Sequence, residues 1–183
     1  MGEVIPNPEQ EARKEQWLGE LSEFIVEANR NTWAADGGEV EPQLPGFKTL
    51  EYKRGDWWLR DGYSGYFRAP GVTTVLKNDI PVWYMAYAGP GQTEEHYDKV
   101  KGTFSFLKEA LMAVSPSLPI RGPEEYINGD KQYTFKMLEG DMTEGLWKEE
   151  ITESGLVTFR QTGLVGIFIH KTADLQPVHP WDS

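Results

Sequence analysis

Two short stretches decide how this chain is read: Glu51-Tyr52-Lys53-Arg54-Gly55-Asp56 and, later, Glu125-Tyr126-Ile127-Asn128-Gly129-Asp130. They share Glu, Tyr, Gly and Asp at one offset, at which Gly71 also meets Gly145 and Gly89 meets Gly163. The turn segments Asn78-Asp79 and Glu153-Ser154 fall between them. Chance produces four-residue matches in a chain with 19 Gly and 8 Tyr, so the flanking text has to carry the repeat.

Upstream of each stretch lies a helical pattern. Asn7-Pro8-Glu9-Gln10 supplies an N-cap residue, Pro at the first helical position and acid in the first turn. Trp17, Leu21, Phe24 and Ala28, with Leu18 and Ile25 beside them, then form an apolar stripe, which predicts a helix from about residue 8 to Asn31. Asp36-Gly37-Gly38 breaks the pattern. Val100, Phe104, Leu107 and Leu111 repeat the spacing and predict a second helix, ended by Ser115-Pro116.

Strand-like text follows each helix. In the first half it covers Leu50 to Leu59, Tyr63 to Arg68, Val72 to Lys77 and Val82 to Tyr87. In the second it covers Gln132 to Leu138, Thr143 to Ile151, Leu156 to Gln161 and Val165 to His170. Asn78-Asp79 is a hairpin turn signal, with Pro81 at a strand start. The expected fold is α+β: two tandem helix-plus-four-strand antiparallel repeats, related by a pseudo-twofold and sharing one core. Repeat one runs over about 8–90 and repeat two over about 94–170, within one domain at 1–175. Residues 176–183 form a C-terminal tail, packed over the surface or left mobile. Each half has a sheet face to cover, and pairing the halves is the economical way to cover it.

Composition narrows the function. The net charge is −11, with no basic stripe, which argues against nucleic acid as a partner. There is no Cys, hence no disulfide, thiol nucleophile or thiolate ligand. Met1 to Gln10 lacks a signal-peptide pattern and no apolar run is long enough to span a membrane, so a soluble, cytoplasmic protein is expected. His96, His170 and His179 show no metal-binding spacing, and Gly-rich phosphate signatures are missing. No metal and no cofactor are therefore expected.

The densest chemistry lies in Asp56-Trp57-Trp58-Leu59-Arg60-Asp61-Gly62-Tyr63. With Tyr52, Trp83 and Tyr87 nearby, the segment 52–87 holds nine of the chain's 7 Trp, 8 Tyr and 8 Phe. Strand alternation puts Asp56, Trp58 and Arg60 on one face and Trp57, Leu59 and Asp61 on the other. Aromatic walls offer area, and a few charges orient a small ligand. Arg60 can clamp a carboxylate or phosphate, and Asp56 or Asp61, once desolvated, can exchange a proton. These three are the catalytic candidates, while Tyr52, Trp57, Trp58, Arg60, Asp61, Tyr63, Trp83 and Tyr87 are the ligand-binding candidates. The plainer reading makes the aromatics ordinary strand residues and the Arg and Asp an ordinary ion pair.

A family resemblance rests on several motifs together. In the first half they are Asn31-Thr32-Trp33-Ala34, Gly37-Gly38-Glu39, Leu50-Glu51-Tyr52, Arg60-Asp61-Gly62-Tyr63-Ser64-Gly65 and Pro81-Val82-Trp83-Tyr84-Met85. In the second they are Phe106 to Leu111, Arg121-Gly122-Pro123, Tyr126, Gly129-Asp130, Tyr133 and Gly140-Asp141. Over about residues 20 to 168 the chain resembles a bacterial and archaeal domain family of unknown function, which occurs alone or C-terminal to XRE-type helix-turn-helix regulators. That resemblance implies an effector-sensing role and no particular reaction. The leading expectation is a stand-alone small-molecule-binding domain. A cofactor-independent hydrolase or isomerase using a carboxylate with Arg or Tyr is the first alternative, and a protein-interaction module the second. The expected partner is a small molecule, with a homodimer left open.

Overall fold

The structure, a computed structural model, describes residues 7–35 and 37–182. The first six residues of the expected leaderless N-terminus, Asp36 of the expected break, and Ser183 lie outside the described residues. Helix α1 spans Pro8–Asn31, and Asn7 caps it by accepting from the Glu9 N–H at 3.1 Å. Trp17, Leu21, Phe24, Ile25 and Ala28 are its buried stripe, as the spacing predicts. After it come β1 (Glu39–Val40), β2 (Lys48–Arg54), β3 (Trp57–Tyr63), β4 (Gly71–Lys77) and β5 (Ile80–Gln92). A 3₁₀ turn leads into α2 (Val100–Met112), then β6 (Glu125–Asn128), β7 (Lys131–Gly140), β8 (Glu144–Glu153) and β9 (Leu156–Ile167). Two-residue strands β10 (His170–Lys171) and β11 (Pro177–Val178) pair near the end.

Strands β1 to β9 form one antiparallel sheet in the order β1-β2-β3-β4-β5-β9-β8-β7-β6. The two halves therefore meet edge to edge, with Met85 opposite Val165 and Ala88 opposite Thr162, rather than face to face. Covering falls to the helices, whose apolar stripes join the inward side chains of β3, β5, β7, β8 and β9 in one core.

Eight strands are expected, whereas the sheet has nine, with the β10–β11 pair after it, and several limits differ. Leu50 to Leu59 divides into β2 and β3 because Gly55, at φ +60°, turns the chain into a hairpin. The expected strand from Tyr63 to Arg68 is instead a loop, in which the Ser64 N–H donates to Pro70 O at 3.3 Å. Leu156 to Gln161 and Val165 to His170 are largely one strand, β9. Gly163 makes no turn: a Cβ there would stand 2.4 Å from the Trp147 ring, so the glycine serves close packing inside the strand. The missing fourth strand of the second half is β6, inside the repeated Glu-Tyr motif. Asn78 and Asp79 take φ of 51° and 62°, the paired left-handed geometry of a tight hairpin.

The end of the chain packs back onto α1. Trp181 lies 5.9 Å from Trp17, centroid to centroid, and is buried with it. Its apolar area explains why this segment is held rather than loose. No helix among the described residues is long and apolar enough to cross a membrane.

Candidate functional site

A cleft of about 570 Å³ opens between α2 and the helix-covered face of the sheet. One helical face of α2, carrying Lys101, Phe104, Ser105 and Lys108, forms one wall. The loop 64–70 brings Tyr66 and Phe67 across the mouth, where Tyr66 meets Phe104 at 5.4 Å and Phe67 meets Tyr97 at 4.2 Å. This loop is tied down by Gln92 N–H donating to Phe67 O at 2.8 Å and by Arg68 pairing with Glu94 at 3.0 Å. Gly91 permits that approach, since a Cβ there would stand 2.0 Å from Phe67 O.

The floor is a buried polar network. Arg121 donates from Nη2 and Nε to the two oxygens of Glu149 at 2.9 and 3.2 Å. Tyr133 adds its hydroxyl to Glu149 at 2.9 Å and accepts from the Gly122 N–H at 3.2 Å. The guanidinium lies 5.2 Å from the Trp33 ring, 5.8 Å from Tyr87 and 6.0 Å from Trp147. Burial works to lower the Arg121 pKa, but the charge and hydrogen bonds of Glu149 outweigh it and hold the guanidinium above its ordinary value.

The connection from α2 to β6 delivers Arg121. Asn29, near the end of α1, donates to Pro119 O at 3.2 Å, and Arg30 donates to Val114 O at 2.7 Å. Ile120, buried in the core, fixes the adjacent residue. Gly122 follows because any Cβ would stand 2.8 Å from the Tyr133 ring.

Asp61 sits beside this network with no solvent exposure. Its carboxyl accepts from Thr73 at 2.7 Å and from Tyr87 at 2.9 and 3.1 Å. The Trp33 indole also favours the ionised form, but it closes no hydrogen bond of good geometry. Burial nevertheless dominates, and the Asp61 pKa is raised despite Thr73, Trp33, Tyr87 and the charge of Arg121. Burial also pushes the Tyr87 and Tyr133 hydroxyls well above their ordinary range, so both act as neutral donors.

A pH dependence follows for Asp61. A carboxyl whose pKa is raised on folding favours the folded state fully below its unfolded pKa, near 3.8, and that contribution is lost as pH rises through the raised value. Asp61→Asn removes this titration. Measured by urea unfolding, the wild type should lose stability relative to the variant as pH climbs from about 4 toward neutrality. Parallel profiles for the two proteins would contradict the assignment.

The structure distributes the sequence-derived candidates. Asp61, Tyr63 and Tyr87 line the cleft together. Trp57 and Trp83 belong to the core, Trp57 stacking on Phe24 at 5.4 Å beneath α1. Tyr52 hydrogen-bonds Glu27 of α1 and stays outside the cleft. Trp58 and Arg60 stand on the opposite, open face, where Arg60 pairs with Glu51 at 2.7 Å. Trp58 there lies under Lys53 at 3.9 Å and Arg60 at 5.1 Å. Arg60 and Asp61, adjacent in sequence, thus point away from each other, and the arginine near Asp61 is Arg121. Asp56 is exposed at the β2–β3 turn.

Sequence reasoning missed Arg121, Glu149, Gln161 and the α2 wall. One signal was present: Trp147, Glu149 and Ile151 alternate, so strand parity turns Glu149 toward the core, where a carboxylate demands a buried cation. Among the described residues, no group of three or more His, Asp or Glu is placed to hold a metal ion.

Searches of curated proteins and of solved structures returned no match. A family model does match, over residues 61–167, a span that begins at Asp61 and takes in Thr73, Tyr87, Arg121, Tyr133 and Glu149. Covering more than half of the 183 residues, that match shows that the chain belongs to the family described as a domain of unknown function, DUF5680.

Proposed function

We propose that this chain is a small-molecule-binding domain of the effector-sensing type, with its ligand in the cleft beneath α2. The observation that carries this reading is the cleft itself: about 570 Å³, walled by aromatic rings and floored by a buried guanidinium and a buried amide. Volumes of a few hundred cubic ångströms with few, convergent polar groups are typical of ligand sites. A polypeptide free to fill its core with these aromatics would gain packing by closing the space.

The enzyme alternative has less support. Asp61 borders the cleft, but its carboxyl has no solvent exposure and is taken up by Thr73 and Tyr87, and Asp56 lies at an exposed turn. An interaction module would rest on the open sheet face, where Val72 and Leu164 are about half exposed. Among the described residues, that face carries no comparable convergence of buried polar groups.

We also infer that the sheet descends from two copies of a helix followed by a four-strand meander, related by an axis between β5 and β9. The strand order β2-β3-β4-β5-β9-β8-β7-β6, which reads from outer to inner strand on both sides, supports this. So does the repeated Glu-Tyr motif at β2 and β6.

Ligand-observed NMR with a mixture of small aromatic acids, amides and amines tests the binding reading. At least one compound should show saturable binding, and Ser105→Trp, which plugs the rim from an exposed position, should weaken it at least about tenfold. No saturable binder, or equal binding to Ser105→Trp, would sink the proposal.

A further inference from the structure

We propose that the ligand of this cleft is a planar organic monoanion, its carboxylate head held by Arg121 and Gln161 and its ring between the aromatic walls. This rests on the binding reading above and adds the chemical class.

Two unpartnered donors set the head group. Arg121 spends Nε and one N–H of Nη2 on Glu149, while its Nη1 has no hydrogen-bond partner among the described residues. The residue keeps a small exposure, 5%, and lines the cleft. Gln161, on β9, is 7% exposed, also lines the cleft, and its side-chain amide has no partner among the described residues. A guanidinium edge and an amide N–H suit the in-plane lone pairs of a carboxylate.

Charge selects an anion over a cation. The chain carries −11 overall, yet the described residues lining this cleft include Lys101 and Arg121 beside Asp61, while Lys48 and Glu39 pair with each other at 3.4 Å. The same charges set an upper limit. Glu149 already neutralises much of Arg121, and Asp61 stands close by, so a dianion such as a phosphate monoester would meet two carboxylates across a site of low polarity. A monoanion meets little such repulsion. The walls select a flat body: Trp33, Tyr63, Phe67 and Phe104 present ring surface, which suits a planar ring better than a sugar or polyol.

The test uses one ring with three heads: indole-3-acetate, indole-3-acetamide and tryptamine, titrated calorimetrically into the full chain up to about 10 mM, which fills even a millimolar site. Indole-3-acetate should bind at least about tenfold more tightly than its amide, with tryptamine weaker still. Gln161→Glu, which places a like charge beside the head, should abolish that preference. Gln161→Leu, which keeps the volume and adds no buried charge, should reduce acetate binding several-fold and leave tryptamine unchanged. Equal or tighter binding of the amide or the amine overturns the anion assignment while leaving the cleft a binding site. Absence of saturable heat from all three overturns it as well, and the NMR mixture then decides separately whether the cleft binds anything.

Discussion

Arg121→Met is expected to cost about 3–5 kcal/mol of unfolding free energy, the usual effect of leaving one member of a buried ion pair behind. Glu149 has no exposed side-chain surface, so after the substitution its carboxylate keeps only the Tyr133 hydroxyl at 2.9 Å. Methionine fills most of the stem's volume between Trp33, Tyr87 and Trp147, so a cavity is not the main loss. Uncompensated charge is. The double variant Arg121→Met with Glu149→Leu should therefore recover most of the deficit, because an apolar pair needs no desolvated charge balance. Urea unfolding with a common m-value measures both. A single variant within about 1 kcal/mol of the parent, or a double variant as unstable as the sum of the two singles, would show that this pair does not hold the floor of the cleft.

Trp83→Ala should destabilise by a comparable amount, about 3–5 kcal/mol, through a different cause. Trp83 is wholly buried in the middle of β5, and its indole N–H donates to Met142 O at 2.8 Å, across to the loop between β7 and β8. Removing the ring opens a cavity at the junction of the two halves and strands that carbonyl. Trp83→Phe, which keeps most of the area and loses the donor, should fall in between. Because Trp83 does not line the cleft, Trp83→Phe should leave ligand affinity unchanged within about twofold, a result that separates core aromatics from site aromatics. A loss below about 1 kcal/mol for Trp83→Ala would mean that the ring is not the packing centre its burial implies.

The contrast between Trp83 and Tyr87 shows why the aromatic cluster was only partly readable. Both face inward on β5, four residues apart, and alternation assigns that correctly. One is covered by core side chains and the other opens onto the cleft, and that difference depends on where α1 and α2 lie across the sheet. The case of Arg60 and Asp61 is simpler. Strand parity alone separates them, so their adjacency in sequence guaranteed that they would not share a site.

Local rules settled much of this chain. The α1 stripe and its Asn7 cap, the α2 repeat, the Asn78-Asp79 turn and the inward parity of Asp61 all follow from periodicity and backbone preference within a few residues. These are short-range effects, and they survive without knowledge of the partner surface. Three things required the tertiary structure. The edge-to-edge pairing of β5 with β9 depends on hydrogen bonding between segments far apart in sequence. Gly163 lies between two expected strands that are in fact one, and only the Trp147 ring beside it explains its missing side chain. The site itself exists only because Asn29 and Arg30 hold the segment that swings Arg121 under Trp33, onto Glu149 and next to Asp61. No spacing rule encodes that meeting, because its residues come from four separate stretches of chain and are joined by burial and charge balance rather than by sequence distance.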